Sequence, residues 1–149
     1  LTRALNLPTM EVAGLTLIKR MALVIDDARI VHVFYPVFPP DRNAGDVLAW
    51  LASPGREQYD VAIVDPPTFS NSKKMTQEFD VLRDHPMILR QVFTRMRPGG
   101  VVWFSTNHRQ FQLLPALADE FAVVDMTAKT IPPDFAHSRP HKSYRLTRR

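Results

Sequence analysis

Cysteine is absent from all 149 residues, which removes disulfides, thiolate catalysis and cysteine-ligated metals in one step. Glycine is scarce: there are five, and no Gly-x-Gly occurs, so a glycine-rich cofactor loop is missing. No apolar run approaches the roughly 18 residues that cross a bilayer. The opening Leu-Thr-Arg-Ala-Leu-Asn has no long apolar h-region of a signal peptide, and a cytoplasmic protein with no membrane partner is the expectation. Acidic residues are absent from Arg139 onward, where Arg139, Lys142, Arg145, Arg148 and Arg149 are all basic. Such an end reads either as a solvated tail or as a phosphate-contacting surface. The five histidines lack ligand spacing: His137 and His141 are four apart, but in a proline-containing loop. No metal site is expected.

What is present is ordinary for a globular domain, with 45% hydrophobic and 23% charged residues. The net charge of +4 is compatible with nucleic acid without requiring it. Strand-like runs at 21–26 and 29–35, separated by Asp27-Ala28, predict a β-hairpin, and Pro36, Pro39 and Pro40 end its second strand. Asp41 or Asn43 could cap a short helix through Leu51, broken by Ser53-Pro54-Gly55. The run 59–65 is apolar without alternation, which predicts a strand covered on both faces. Residues 66–78 read as polar loop. A helix is expected from about Asp84 to Met96, with Pro86 in its first turn and Arg97-Pro98-Gly99-Gly100 as its stop. A strand at 101–105, a helix at 112–120, a strand at 121–128 and an edge strand at 143–147 complete the pattern. Helix and strand alternate from residue 43 on, so an α/β layer with a mainly parallel sheet is expected behind an antiparallel hairpin.

The sharpest feature is Asp65-Pro66-Pro67-Thr68-Phe69-Ser70-Asn71-Ser72-Lys73, directly after the apolar strand. Ligands of open α/β sheets bind beyond the carboxyl ends of the strands. Ser105-Thr106-Asn107 closes the next strand at a second such end. A bare Asp-Pro-Pro would be read as a proline turn; the longer string is far more specific.

YDVAIVDPPTFSNSKKM resembles the fourth motif of a class I S-adenosylmethionine-dependent methyltransferase. It is most similar to the guanine-N7 half of the bifunctional large-subunit rRNA methyltransferases, and the likeness continues through FDVLRDH, RPGGVVWFSTN and TIPPDFAHSRPHKSY. The resemblance covers roughly residues 46–149. It implies an incomplete Rossmann-like sheet, S-adenosylmethionine as cofactor and RNA as partner. It also implies roles. Asp65 would hold a base edge near the cofactor, Pro66 and Pro67 would fix the loop, and Phe69 would stack on an extruded base. Asp46, in Asp-Val-Leu-Ala-Trp-Leu, would lie near the cofactor's adenine; the plain alternative is an N-terminal helix carboxylate favoured by the dipole. Lys73, Lys74, Arg83, Asn107 and Arg109 are candidate RNA contacts.

That family binds its cofactor through a glycine-rich loop after its first strand and an acid ending its second, and neither is found here. Instead residues 1–51, in LPTMEVAGLTLIKRMALVIDDARIVHVFYPVFPPDRNAGDVLAWL, resemble the C-terminal part of a redoxin of the peroxiredoxin class, which assigns residues 1–45 to a redoxin-like segment. Arg20 would match that class's peroxide-holding arginine; without cysteine, peroxidase chemistry by that route is excluded. DVLAWL suits both families and is a natural junction between the two segments. Three readings follow: a truncated RNA methyltransferase, inactive alone; a non-catalytic RNA-binding remnant; and a redoxin-like structural fragment.

Overall fold

The computed structural model describes residues 2–37, 40–55, 58–66, 68–70, 79–135, 138 and 140–149, with the backbone alone for 40–44, 69 and 70. The chain opens with two hairpins. In the first, β1 (Thr9–Val12) pairs with β2 (Leu15–Ile18). In the second, β3 (Ala22–Asp26) pairs with β4 (Arg29–Phe34). Each turns on two residues of positive φ, Ala13-Gly14 and Asp27-Ala28, the backbone that suits the right-handed twist of the flanking strands. The first hairpin is not anticipated from sequence, because its strands are short and fully exposed.

Helix α1 (Pro40–Ala52) follows, then β5 (Tyr59–Val64). Two short strands pair with each other, β6 (Phe69–Ser70) inside the stretch expected to be loop and β7 (Phe79–Asp80) just after it. They lead into α2 (Val81–Thr94) and β8 (Met96–Thr106). The chain closes with α3 (Leu117–Glu120), β9 (Phe121–Asp125), α4 (Thr127–Thr130), a 3-10 turn at Pro133–Phe135, and β10 (Lys142–Arg148).

The central sheet has the order β5-β8-β10-β9. β5 and β8 are parallel, while β10 runs antiparallel to both β8 and β9. Three of the four strands therefore point one way. This is the incomplete α/β sheet anticipated behind a hairpin, but residues 142–148 are interior and not an edge. The edges are β5 and β9.

One face of the sheet carries the core. Val102, Phe104, Tyr144, Leu146 and Phe121 pack there against Val81, Leu89, Val92 and Phe93 of α2 and Leu51 of α1. The other face of β5 is bare: Val61 is 58% and Ile63 80% exposed. The expectation that the 59–65 strand is covered on both faces is thus overturned. Its second face and outer edge have no covering element among the described residues.

Helix α2 starts earlier than its sequence pattern suggests. Asp80 caps it by accepting from Leu82 N–H at 2.8 Å, and the Asp84 carboxylate in return accepts from Asp80 N–H at 2.9 Å. Pro86 consequently lies inside the helix, beyond the first turn, where it lacks the N–H that would bond back to residue 82. The helix ends at Thr94, and Arg97-Pro98-Gly99-Gly100 begins β8 as a bulge: Tyr59 is opposite Met96, but Val61 is opposite Val101. Gly99 takes φ +81, and a Cβ on Gly100 would stand 2.9 Å from the Arg97 carbonyl oxygen, so both positions require glycine. The helix expected at 112–120 shrinks to α3, because Pro115 interrupts the backbone bonding upstream while Phe111 and Leu117 are pinned in the core. The strand expected at 121–128 ends at Asp125, whose carboxylate accepts from Thr127 N–H at 2.8 Å and starts α4.

Arg95 joins the two helices. Its guanidinium is buried and donates to the carbonyl oxygens of Leu51 at 3.0 Å, Trp50 at 3.1 Å and Ser53 at 2.5 Å. A cation at the C-terminus of α1 is also favoured by the helix dipole. Tyr59 N–H donates to Arg95 O at 2.8 Å, so α1 ends beside the amino end of β5.

Candidate functional site

The carboxyl ends of β5 and β8 lie side by side, since Val64 is opposite Phe104. Asp65 and Ser105 each follow by one residue. The Ser105 hydroxyl donates to Asp65 Oδ1 at 2.8 Å, and Asp65 is otherwise exposed. A second rung lies beyond it, where the Thr68 hydroxyl hydrogen-bonds Asn107 Oδ1. Thr68 O also accepts from Val81 N–H at 3.1 Å, at the start of α2. The Asp65 loop is therefore tied at two points to the end of β8 and at one to α2.

This arrangement fixes an acceptor-only carboxylate at a strand end, with Oδ2 open to a donor. Pro66 is half-buried beside it. Asn107 is exposed, and its side-chain oxygen accepts from Thr68, a bond that braces the loop. Arg83 is paired with Asp84, Nε to Oδ1 at 2.7 Å, and this pairing holds the Asp84 carboxyl below its usual range. Arg109 is exposed in the turn after β8. Pro67, Lys73 and Lys74, and the side chain of Phe69, lie outside the described residues.

Asp46 is exposed within α1, six residues before its end, or about 9 Å of helix. The helix begins at Pro40, close to the start expected at Asp41 or Asn43. No hydrogen bond or ion pair links Asp46 to Asp65 among the described residues.

Two hollows stand out among the described residues. One, of about 310 Å³, is lined by Arg90, Phe93, Glu120, Phe121, Arg148 and Arg149. The other lies in the first hairpin region, between Thr2 and Ile18. Neither touches Asp65 or Asp46, so the described residues alone do not enclose the carboxylate. Among them no cluster of three or more metal-ligating side chains forms, and no helix is long and apolar enough to cross a membrane.

Sequence reasoning missed His85. It is 2% exposed, its Nδ1 lies 2.8 Å from Val81 O, and its Nε2 accepts from Leu114 N–H at 3.0 Å. Burial pushes its pKa below the usual histidine value. It packs against Phe104 and Phe111 and holds the segment after β8 onto α2. A histidine four residues after Val81 on the buried stripe of α2 is the only hint the sequence offers.

No family model matches the chain. Over two thirds of its length it is similar to ribosomal RNA large subunit methyltransferases K/L. It is 50% identical over 103 residues to the protein of that name from Pseudomonas putida strain W619, which is 68% of this chain and 14% of that protein. It is 48% identical over 106 residues to that of Pseudomonas fluorescens strain Pf0-1, covering 70% of this chain and 14% of the relative. The chain thus spans about 14% of the length of the curated relatives it matches. Among solved structures, SMU.776 complexed with SAH covers 76% of this chain and 30% of its own, at 19% identity and a TM-score of 0.46.

Proposed function

We propose that residues 46–149 are the substrate-side part of an S-adenosylmethionine-dependent RNA methyltransferase, acting on guanine N7 of large-subunit rRNA. The identity to the K/L methyltransferases carries the reading. The position of Asp65, at a strand's carboxyl end and braced by Ser105, agrees with it. The chemistry asks little of the protein. Guanine N7 has an available lone pair, so methyl transfer needs placement and a water-poor pocket more than a base. Asp65 is suited to placement: its open oxygen can accept from the N–H groups on a guanine edge while Ser105 holds the other.

The cofactor is S-adenosylmethionine, whose sulfonium would supply the methyl group. The residues present do not make a complete site for it. The chain has no Gly-x-Gly, the outer edge of β5 carries no further strand among the described residues, and Asp46 stands exposed within a helix. This chain by itself is therefore expected to be inactive. Residues 1–45 are a redoxin-like segment joined near DVLAWL; the first hairpin, exposed along both strands, fits an origin outside the methyltransferase core, while the second packs on Trp50 of α1 through His32 and Phe34. A non-catalytic RNA-binding role is the second reading, favoured by the same missing loop.

Two measurements test this. Binding of guanosine-containing and inosine-containing single-stranded RNA, compared by fluorescence anisotropy, should favour guanosine about fivefold or more, and Asp65→Ala should abolish the difference. Equal binding of both by the unaltered chain defeats the role given to Asp65. Calorimetric titration with S-adenosylhomocysteine should give no micromolar binding, since each 1.4 kcal/mol of lost contact costs about tenfold. Micromolar affinity would refute the incomplete cofactor site.

A further inference from the structure

A hollow lined by three arginines, Arg90, Arg148 and Arg149, lies at the other end of the sheet from Asp65. β10 runs antiparallel to β8, with Ser143 opposite Ser105 and Thr147 opposite Val101. Arg148 and Arg149 thus stand about five residues, or roughly 17 Å, from the level of Asp65. Phe93 of α2 and Phe121 of β9 stack beneath them, with ring centroids 4.2 Å apart and planes at 16°. Arg90 completes the hollow from α2.

Two of the three guanidinium groups, those of Arg90 and Arg148, are held in place before any ligand arrives. Glu120 accepts from Arg90 Nε with both oxygens at 3.0 Å, and from Nη2 at 2.5 Å. Arg148 Nη2 donates to Phe93 O at 2.6 Å. Each guanidinium has five N–H donors, and these bonds use only some of them. Three cationic side chains face one side-chain carboxylate, so the side chains keep a positive excess. A guanidinium fork matches the oxygens of a phosphate, and an arginine already held by its neighbours loses less entropy on binding one. The basic end of the sequence has two readings, solvated tail or phosphate contact. The structure separates its members: Arg148 and Arg149 turn to the hollow, while Arg145 lies exposed further along β10.

We infer that the hollow between Arg90, Arg148 and Arg149 binds a backbone phosphate of single-stranded RNA. A strand seated there and reaching the level of Asp65 would cross about 17 Å of the sheet. The inference rests on the RNA-directed part of the proposed function and not on methyl transfer. It is independent of the cofactor.

The full chain is titrated against a fluorescein-labelled single-stranded RNA over a range of salt. The Arg90→Gln/Arg149→Gln variant should weaken binding equally across sequences and flatten the plot of log K against log salt by about 0.7, the loss of one phosphate contact. Glu120→Gln should do the opposite and tighten binding about three- to tenfold at low salt, by removing the anion beside the site. A misfolded variant cannot produce that gain. Unchanged or weaker binding by Glu120→Gln overturns the inference, as does an unaltered salt slope in the arginine variant. Absence of RNA binding by the unaltered chain also overturns it. Inorganic phosphate provides a further arm. If a mononucleotide or inorganic phosphate binds as tightly as the RNA, the site serves free phosphate and the RNA assignment fails. Asp65→Ala separates the two proposals: it should remove guanine preference and leave the salt slope intact. Loss of the slope through Asp65 alone overturns the arginine site while leaving the Asp65 reading standing.

Discussion

Acidification should unfold this protein partly through one buried ring. His85 is 2% exposed, and both of its nitrogens are engaged: Nδ1 donates to Val81 O and Nε2 accepts from Leu114 N–H. That pairing assigns the neutral Nδ1–H tautomer. Protonation would turn Nε2 into a donor facing another donor. Burial lowers the folded pKa, while the Val81 carbonyl and the nearby Asp84 carboxylate act in the opposite direction without reversing it. The unfolded chain titrates near 6.5, so it binds the proton first. Stability is complete above that value and falls as the pH drops below it, until the folded ring itself titrates. Protonation of the unfolded ring alone sets the ceiling, about 1.4 kcal/mol at pH 5.5, and titration of the folded ring brings the loss below it. Against a total of about 5–15 kcal/mol for a domain, a loss of that order is measurable. Urea unfolding at pH 7.5 and 5.5 would be compared for the unaltered chain and His85→Phe, which keeps the aromatic contacts with Phe104 and Phe111. The variant should be weaker at pH 7.5 by about 1–3 kcal/mol, because Leu114 N–H loses its acceptor. Its further loss on acidification should be smaller than that of the unaltered chain, by no more than about 1.4 kcal/mol. The other four histidines affect both proteins alike. Equal pH dependence in the two would refute the reasoning.

Arg95→Met should destabilise the fold by about 2–4 kcal/mol, since three carbonyls at the end of α1 lose a charged donor. Arg95→Lys should rescue little, because one ammonium cannot reproduce the fork; the urea midpoint checks both. Ile63→Lys should change stability by less than about 0.5 kcal/mol, because the side chain is 80% exposed, and should reduce aggregation from the bare β5 edge. Unfolding of that variant in the same urea titration would show that Ile63 is covered.

Two levels of organisation separate in this chain. Local chemistry made the β3–β4 hairpin, α2, β5 and β8 legible, because period, proline, glycine and capping residues act within a few positions of one another. It also placed Asp65 at a strand end, where its string resembles a methyltransferase motif. Which residue holds that carboxylate was less legible. Ser105 and Asn107 mark a strand end in sequence, but their bonds to Asp65 and Thr68 span 40 and 39 residues. The helix carrying Asp46 was legible too, since proline and polar residues mark its start near residue 40 and Ser53-Pro54-Gly55 its end.

The amino-acid sequence by itself determined which segments prefer strand or helix, the absence of thiol chemistry, and the lack of a glycine cofactor loop. Only the tertiary structure decided that β10 inserts between β8 and β9, that β5 is an exposed edge, that Arg95 closes α1 from 44 residues away, and that Arg90 meets Arg148 across a hollow. The physical reason is range. Backbone propensity and side-chain period are settled among near neighbours, whereas a strand's partner and a buried cation's acceptors are selected by which surfaces the whole chain can bury together.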